Sequence, residues 1–335
     1  MSLNFFRELN AKKVRDYMFD HVVELILIVL ILVMGNVSST FNTMANWLNI
    51  FRNMSMKGLI AFGMTMVIIS GQIDLSVGST VAISGVIVAR VCRDLPDMMG
   101  ISVDLACVIG IVLSFLLAII MGVMHGYAQH KFGMPAFIVT LASQNLLYGL
   151  AGMLSGGFPI ANTFPQWFTV LGTGKIGGVS GFPVPALILF IFFVIMFFII
   201  RYTTTGRSMY AIGGNQESAR LSGINVLSTK IFAFASVQVM CVLAGFINSA
   251  QVLSGSYSFG RGWEVDVISA VVIGGTSMAG GIGKMWGTMV GIIFLGVIIN
   301  SMTILNVSTY AQYVVRAIFM SIAVLVATYQ AKKKA

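Results

Sequence analysis

Apolar residues in this chain run in long unbroken stretches instead of alternating with polar ones. Segments such as "VVELILIVLILVM" from Val22 and "FPVPALILFIFFVIMFFIIRY" from Phe182 have no polar face. They predict buried or lipid-facing helices, since a soluble amphipathic helix would show a polar stripe. Apolar cores at Val22–Met34, Gly58–Ser70, Leu75–Ala89, Leu105–Tyr127, Phe137–Leu154, Val184–Ile200, Ile231–Gln251, Val267–Gly280, Met285–Met302 and Tyr310–Thr328 suggest about ten spans, several short or broken by glycine. The expected fold class is therefore an all-α polytopic membrane protein, a single transmembrane domain over 1–335.

Composition agrees. The chain is 57% hydrophobic and 9% charged, with a mean hydropathy of +0.93, whereas a soluble domain is nearer 25% charged. The net charge of +9 is spread over loop ends. It reads as a membrane-orienting signal, with no nucleic acid as partner. An N-terminus inside the cell puts Lys12, Lys13, Arg15, Lys131, Arg201, Arg207, Arg220, Lys230, Lys284 and Lys332–Lys334 on the cytosolic side. Arg90, Arg93, Lys175 and Arg261, with Arg52 and Lys57 as further candidates, fall outside. Residues 1–20 read as a cytosolic lead-in, not a cleaved signal, and both termini are cytosolic. The Gly- and Pro-rich stretch Ser155–Phe182 falls outside. About five spans precede it and about five follow. An odd count reverses orientation, so a repeat of five spans must return inverted. Two Gly-rich stretches, Gly63–Gly85 and Val272–Gly291, fall one in each half.

The polar interruption Ala211–Val226, "AIGGNQESARLSGINV", carries the marks of a very short helix. Asn215 suits the N-cap, Glu217 the first turn and Gly223 the C′ position. So short a helix is marginal alone, and the chain has no soluble domain to support it. A separate cytosolic protein is one partner that fits, with Ala219, Leu221 and Ile224 in a groove and Glu217 and Arg220 in polar contacts. Membrane headgroups are the other.

Other polar positions each allow two readings. Gln72 and Asp74 stand where two apolar segments meet. They either cap the helix that follows or line a transport route or gate. Glu264 and Asp266 either favour a helix N-terminus or meet an external partner or substrate. Gly122 and Gly126, and Gly283, Gly287 and Gly291, are each four apart; close packing within the chain is favoured over a dimer contact. Arg316 lies in an apolar run with no partner assignable. Cys92 and Cys107 flank one short loop where a disulfide is possible but disfavoured. No GxxxxGK[ST] loop is present, so the chain should not bind ATP by that route. The three histidines do not cluster, which argues against a metal site. No pattern suggests catalytic residues.

Three blocks bring a family into view. "GRSMYAIGGNQESARLSGINV" (Gly206–Val226), "AFGMTMVIISGQIDLSVGS" (Ala61–Ser79) and "EVDVISAVVIGGTS" (Glu264–Ser277) resemble the inner-membrane permeases of bacterial ribose, xylose, galactose and arabinose ATP-binding-cassette importers. Departures are Phe62, Gln72 and Val265. The resemblance implies a type II importer fold of about ten helices with a 5+5 inverted repeat. It makes residues 201–230 the cytosolic coupling loop, with Gly213, Gly214, Asn215, Glu217, Ala219, Arg220, Leu221 and Gly223 at its contact. It also implies a second permease subunit, identical or related, a cytosolic ATPase that binds the ATP, and a periplasmic or lipid-anchored sugar-binding protein. The location would be the bacterial inner membrane, among membrane lipids, with no cofactor of the chain's own and no covalent chemistry. Permeases for nucleosides or sugar-like signalling molecules remain an alternative, and an ion-coupled secondary transporter a more distant one.

Overall fold

The computed structural model describes residues 21–178, 181–315, 317–318 and 321. The predicted lead-in 1–20, Arg316, Lys332–Lys334 and most of the last predicted span lie outside the described residues. The rest is almost entirely helical. In chain order come α1 (Val22–Val37), α2 (Met44–Ile69), α3 (Val77–Met99), α4 (Val103–Phe132) and α5 (Ala136–Ser155). Next are β1 (Ile160–Ala161), α6 (Gln166–Thr173), β2 (Lys175–Ile176), β3 (Phe182–Pro183) and α7 (Val184–Tyr202). The chain continues through α8 (Thr204–Gly214), α9 (Gln216–Leu221), α10 (Val226–Val252), β4 (Ser254–Gly255), α11 (Trp263–Ile273) and α12 (Met285–Ile304). Among the described residues, five helices (α4, α5, α7, α10 and α12) are long and apolar enough to cross a membrane.

Polarity is inverted relative to a soluble protein. Leu116 and Ile120 on α4 and Val194 and Phe198 on α7 are exposed, while Ser84, Ser114, Thr140 and Gln238 are buried. Lipid accepts the apolar face and supplies no hydrogen bonds, so the polar side chains turn inward and find partners there.

Helix α10 is the axis of the bundle, and α2, α3, α4 and α6 pack on it. Glycine makes the closest of these contacts. A Cβ on Gly122 or Gly126 would collide with the backbone of Ala235 or Ile231, and one on Gly63 with Val237. Gly287 and Gly291 of α12 meet the backbone of Gly274 and Ala270 in the same way. The small-residue stripes therefore serve packing within the chain. Cys92 and Cys107 are both free and buried, in a shared apolar cluster.

One crossing departs from the ten-span expectation, and another is broken where two expected spans meet. The apolar segment Val267–Gly280 is not one span: α11 stops at Ile273, and Gly275, Gly280 and Gly281 all have positive φ, which ends a helix. Its 11 residues reach roughly 16 Å, about half of a ~30 Å hydrocarbon core. Likewise, residues 70–76 leave the α2 helix through Gly71 (φ 76°). The Gln72 N–H closes the turn on the Val67 carbonyl at 3.0 Å. The predicted outer stretch 155–182 is ordered in its described part. β1 pairs with β4, Ile160 opposite Gly255, and Phe168 of α6 is fully buried against α10.

Gly122→Val should cost about 1–3 kcal/mol through overpacking against α10. Gly152→Ala has nothing within 4 Å of its new Cβ and should be neutral. Thermal unfolding in detergent micelles checks both.

Candidate functional site

Helix α3 begins beside the middle of the 27-residue α10, and Asp74 makes that start stable. The carboxylate is fully buried. One oxygen accepts from the Ser76 N–H at 2.8 Å and from the Ser76 hydroxyl at 2.6 Å. The other accepts from the Gln238 amide of α10 at 2.8 Å. Gln238 in turn accepts from the Thr80 hydroxyl of α3 at 2.5 Å. His125 of α4 places Nδ1 3.6 Å from the carboxylate and bonds Ser143 of α5 through Nε2 at 2.8 Å. Asp74 thus joins the broken crossing to α10 and reaches α4 and α5 through His125. Of its two readings, the geometry favours the structural one.

The four route-or-gate candidates lie in four different places. Gln72 closes the end of α2, and Asp74 is sealed in the core network. Glu264 of α11 turns toward α5: its buried Oε2 and the Tyr148 hydroxyl have no hydrogen-bond partner among the described residues. Both lie about 3 Å from where a Cβ on Gly78 would sit, at 3.0 and 2.9 Å. Arg261 stacks over the Tyr148 ring at 4.7 Å. Asp266 borders a cavity.

That cavity lies between α2, α11 and α12 and has a volume of about 180 Å3. At its inner end Lys57 pairs with Asp266 at 2.5 Å and sits 5.6 Å from the Trp263 ring centroid. Asn49 and Asn53 of α2 and Asn300 and Thr303 of α12 line the rest. Asn46 and Asn300 exchange amide bonds at 3.1 and 2.8 Å. Sequence reasoning placed Lys57 with the outer-loop cations and began the second span at Gly58. The available signal was the spacing of Asn46, Asn49, Asn53 and Lys57, which puts one polar face on a helix.

The predicted short helix is present at the far end of the bundle. In α9, the Asn215 side chain accepts from the Ser218 N–H at 2.9 Å. Gly223 (φ 83°) closes the C-terminus, with its own N–H on Arg220 and the Ile224 N–H on Ala219 at 3.0 and 3.1 Å. Glu217 and Arg220 form a two-pronged exposed pair at 2.5 and 2.9 Å. The Arg220 guanidinium holds the Glu217 carboxyl below its ordinary range. Leu221 is 73% exposed. Ala219 is instead 4% exposed and packs on Ile212 and Val226, with Ile224 beside it. The expected outward face of Ala219, Leu221 and Ile224 is therefore corrected to Leu221 alone, because the C-terminal turn folds the other two onto α8 and α10.

This loop is tied to both broken crossings. The Gly281 N–H bonds the Ile69 carbonyl at the end of α2 at 2.8 Å. Gly213 wedges between those same two groups with no room for a Cβ. Tyr210 donates its hydroxyl to the Gly283 carbonyl at 2.8 Å. Gly214, by contrast, has open space around it. Among the described residues no group of His, Cys, Asp and Glu could hold a metal ion.

Asp74→Ala would strand the Ser76 and Gln238 donors in a dry core, at about 3 kcal/mol or more. Asp74→Asn keeps one acceptor and should lose less. The yield of monodisperse protein after detergent extraction, with its unfolding temperature, checks the order.

A family described as the branched-chain amino acid transport system / permease component matches residues 46–325. The chain is 37% identical over 311 residues to the ribose import permease protein RbsC of Haemophilus influenzae, covering 92% of this chain and 93% of that one. It is 36% identical to RbsC of Bacillus subtilis, covering 89% of each. It is 34% identical to the L-arabinose transport system permease protein AraH of Escherichia coli, covering 88% of this chain and 86% of the other. No solved structure matches the chain. Long apolar helices, broken crossings and these likenesses over most of the length agree: the chain is a multi-pass membrane protein and belongs to this family of transport-system permease components.

Proposed function

We propose that the chain is the permease subunit of an ATP-binding-cassette importer for a monosaccharide, and that it forms the passage while a separate ATPase supplies the work. Its relatives carry ribose and arabinose in their names, which supports the sugar class. The observation that carries the coupling is the loop 201–230. A capped α9 presents an exposed Leu221 and an exposed ion pair, and the adjoining α8 is packed against the end of α2 and bonded to the loop before α12. A push on α9 therefore reaches both broken crossings through packed backbone. Rigid-body movement of a packed element is a recognised way to switch such a passage.

In this reading 1–335 is one transmembrane permease domain with both termini cytosolic, in the bacterial inner membrane. About ten spans form a 5+5 inverted repeat. Support comes from matched packing. The unit α2, broken segment, α3, α4 is paralleled by α10, broken segment, α11, α12. Helix α4 packs on α10 as α12 packs on α2, and α3 packs on α10 as α11 packs on α2. Arg201, Arg207, Arg220 and Lys284 lie near α9, which suits a cytosolic face. The partners are a second permease subunit, a cytosolic ATPase that binds the ATP, an external sugar-binding protein, and lipid. The chain needs no cofactor of its own.

Leu221→Asp should leave membrane insertion and unfolding temperature unchanged while cutting sugar uptake by about tenfold or more, since a desolvated apolar anchor is lost. Ala219→Arg should instead destabilise the loop itself. Uptake and ATP hydrolysis, measured in proteoliposomes holding the whole assembly, separate the two. Normal coupled uptake by Leu221→Asp would overturn the role of α9.

A further inference from the structure

Helix α2 carries Asn46, Asn49, Asn53 and Lys57 on one face, and α12 answers with Asn300 and Thr303. A face of amides and an ammonium turned to hydrocarbon is costly, so this face must be wet or covered by protein. The cavity shows that it is hollow. Asn53 and Thr303 are exposed at its mouth, and the Lys57–Asp266 pair closes its inner end near the middle of the 26-residue α2. The mouth lies toward the α2 start, away from α9. Its volume of about 180 Å3 holds several waters at ~30 Å3 each.

We propose that this cleft is a binding vestibule for a neutral polyhydroxylated molecule on its way through the permease. Asn49 accepts from Arg52 and Asn53 at 2.9 and 3.2 Å and Asn300 is paired with Asn46, which leaves the Asn49 amino group as a donor and the Asn53 carbonyl oxygen as an acceptor for hydroxyl groups, which do both. The one cation and the one anion are closed on each other at 2.5 Å, so an incoming charged group would have to break the pair before gaining a partner. The selectivity of such a site comes from amide positions, because a site built for a hydroxyl strongly rejects a ligand that cannot fill its bonds. This inference rests on the sugar-importer reading above.

The test uses right-side-out membrane vesicles holding the complete importer, with D-ribose, L-arabinose, D-xylose, D-galactose and L-leucine as the ligand panel. The native cysteines are buried and give little background. Asn53→Cys should react with a membrane-impermeant quaternary-ammonium thiosulfonate at least about tenfold faster than Leu116→Cys on the lipid face, because only a wet thiol forms the reactive thiolate. Saturating amounts of the transported sugar should slow that reaction by about threefold or more, and Asn53→Ala should change the ribose-to-arabinose uptake ratio by a similar factor. A purely structural role would scale both sugars equally. Labelling no faster than at Leu116→Cys, or labelling that no sugar slows, overturns the vestibule. Uptake of L-leucine alone by the unaltered importer overturns the sugar-importer reading instead, and protection of Asn53→Cys by L-leucine then shows that the cleft binds a charged ligand, overturning the neutral-polyol assignment.

Discussion

The fully buried Asp74 carboxylate fixes the turn that leads into α3, through the N-cap residue Ser76. It takes the Ser76 N–H locally and the Gln238 amide across the bundle, so one side chain both begins a helix and fixes where that helix sits on α10. The rest of the arrangement depends on this contact. Beside the middle of α10 the chain passes from α2 through an irregular segment into α3. The irregular segment 253–262 that follows α10 packs against α3 where Gly260 meets Gly78 without room for a Cβ. Irregular backbone at this depth is tolerated only where protein or a water-filled cavity surrounds it. Here Asp74, Ser76, Ser254 and Gly260 are buried, while Gly71, Leu253 and Gly262 are exposed.

Glycine does for the backbone what Asp74 does for the polar groups. Apolar contact alone does not bring helices together in lipid, so close approach and buried polar bonds carry the packing. Gly63, Gly122 and Gly126 let α2 and α4 press against α10, and Gly287 and Gly291 do the same for α12 on α11. The junction of Ile69, Gly213 and Gly281 applies the same device beside the α9 loop. Backbone there lies directly on backbone, with no side chain between. The same economy explains why Ala219 faces inward: a small residue lets the two-turn α9 lie close on α8 and α10, leaving Leu221 and the Glu217–Arg220 pair as its outward surface.

The sealed core and the hollow face have opposite physical logic. In the Asp74 network the carboxylate, Ser76, Thr80 and Gln238 find partners at hydrogen-bond distance. Around Lys57 and Asp266 the groups face a space that water or a ligand can fill. Both sets contain a carboxylate flanked by apolar sequence, and only the surroundings separate the sealed network from the cavity.

The sequence by itself determined much. Apolar runs too long and too uniform for a soluble fold specified the membrane helices. Asn215, Glu217 and Gly223 specified α9, since cap chemistry acts over three or four residues and needs no tertiary partner. The family likeness was legible in three local blocks for the same reason. Tertiary structure alone decided the remainder. It shortened the eighth apolar segment to α11, because positive-φ glycines outweigh hydropathy. It moved Lys57 from an outer loop to the middle of α2, because a hydropathy window cannot see one polar face paired with Asp266, which lies 209 residues on. It also sent Asp74, Glu264 and Asp266 to different surroundings. Burial and partnership are properties of the packed bundle, and three carboxylates that look alike along the chain differ only in what the other helices bring to them.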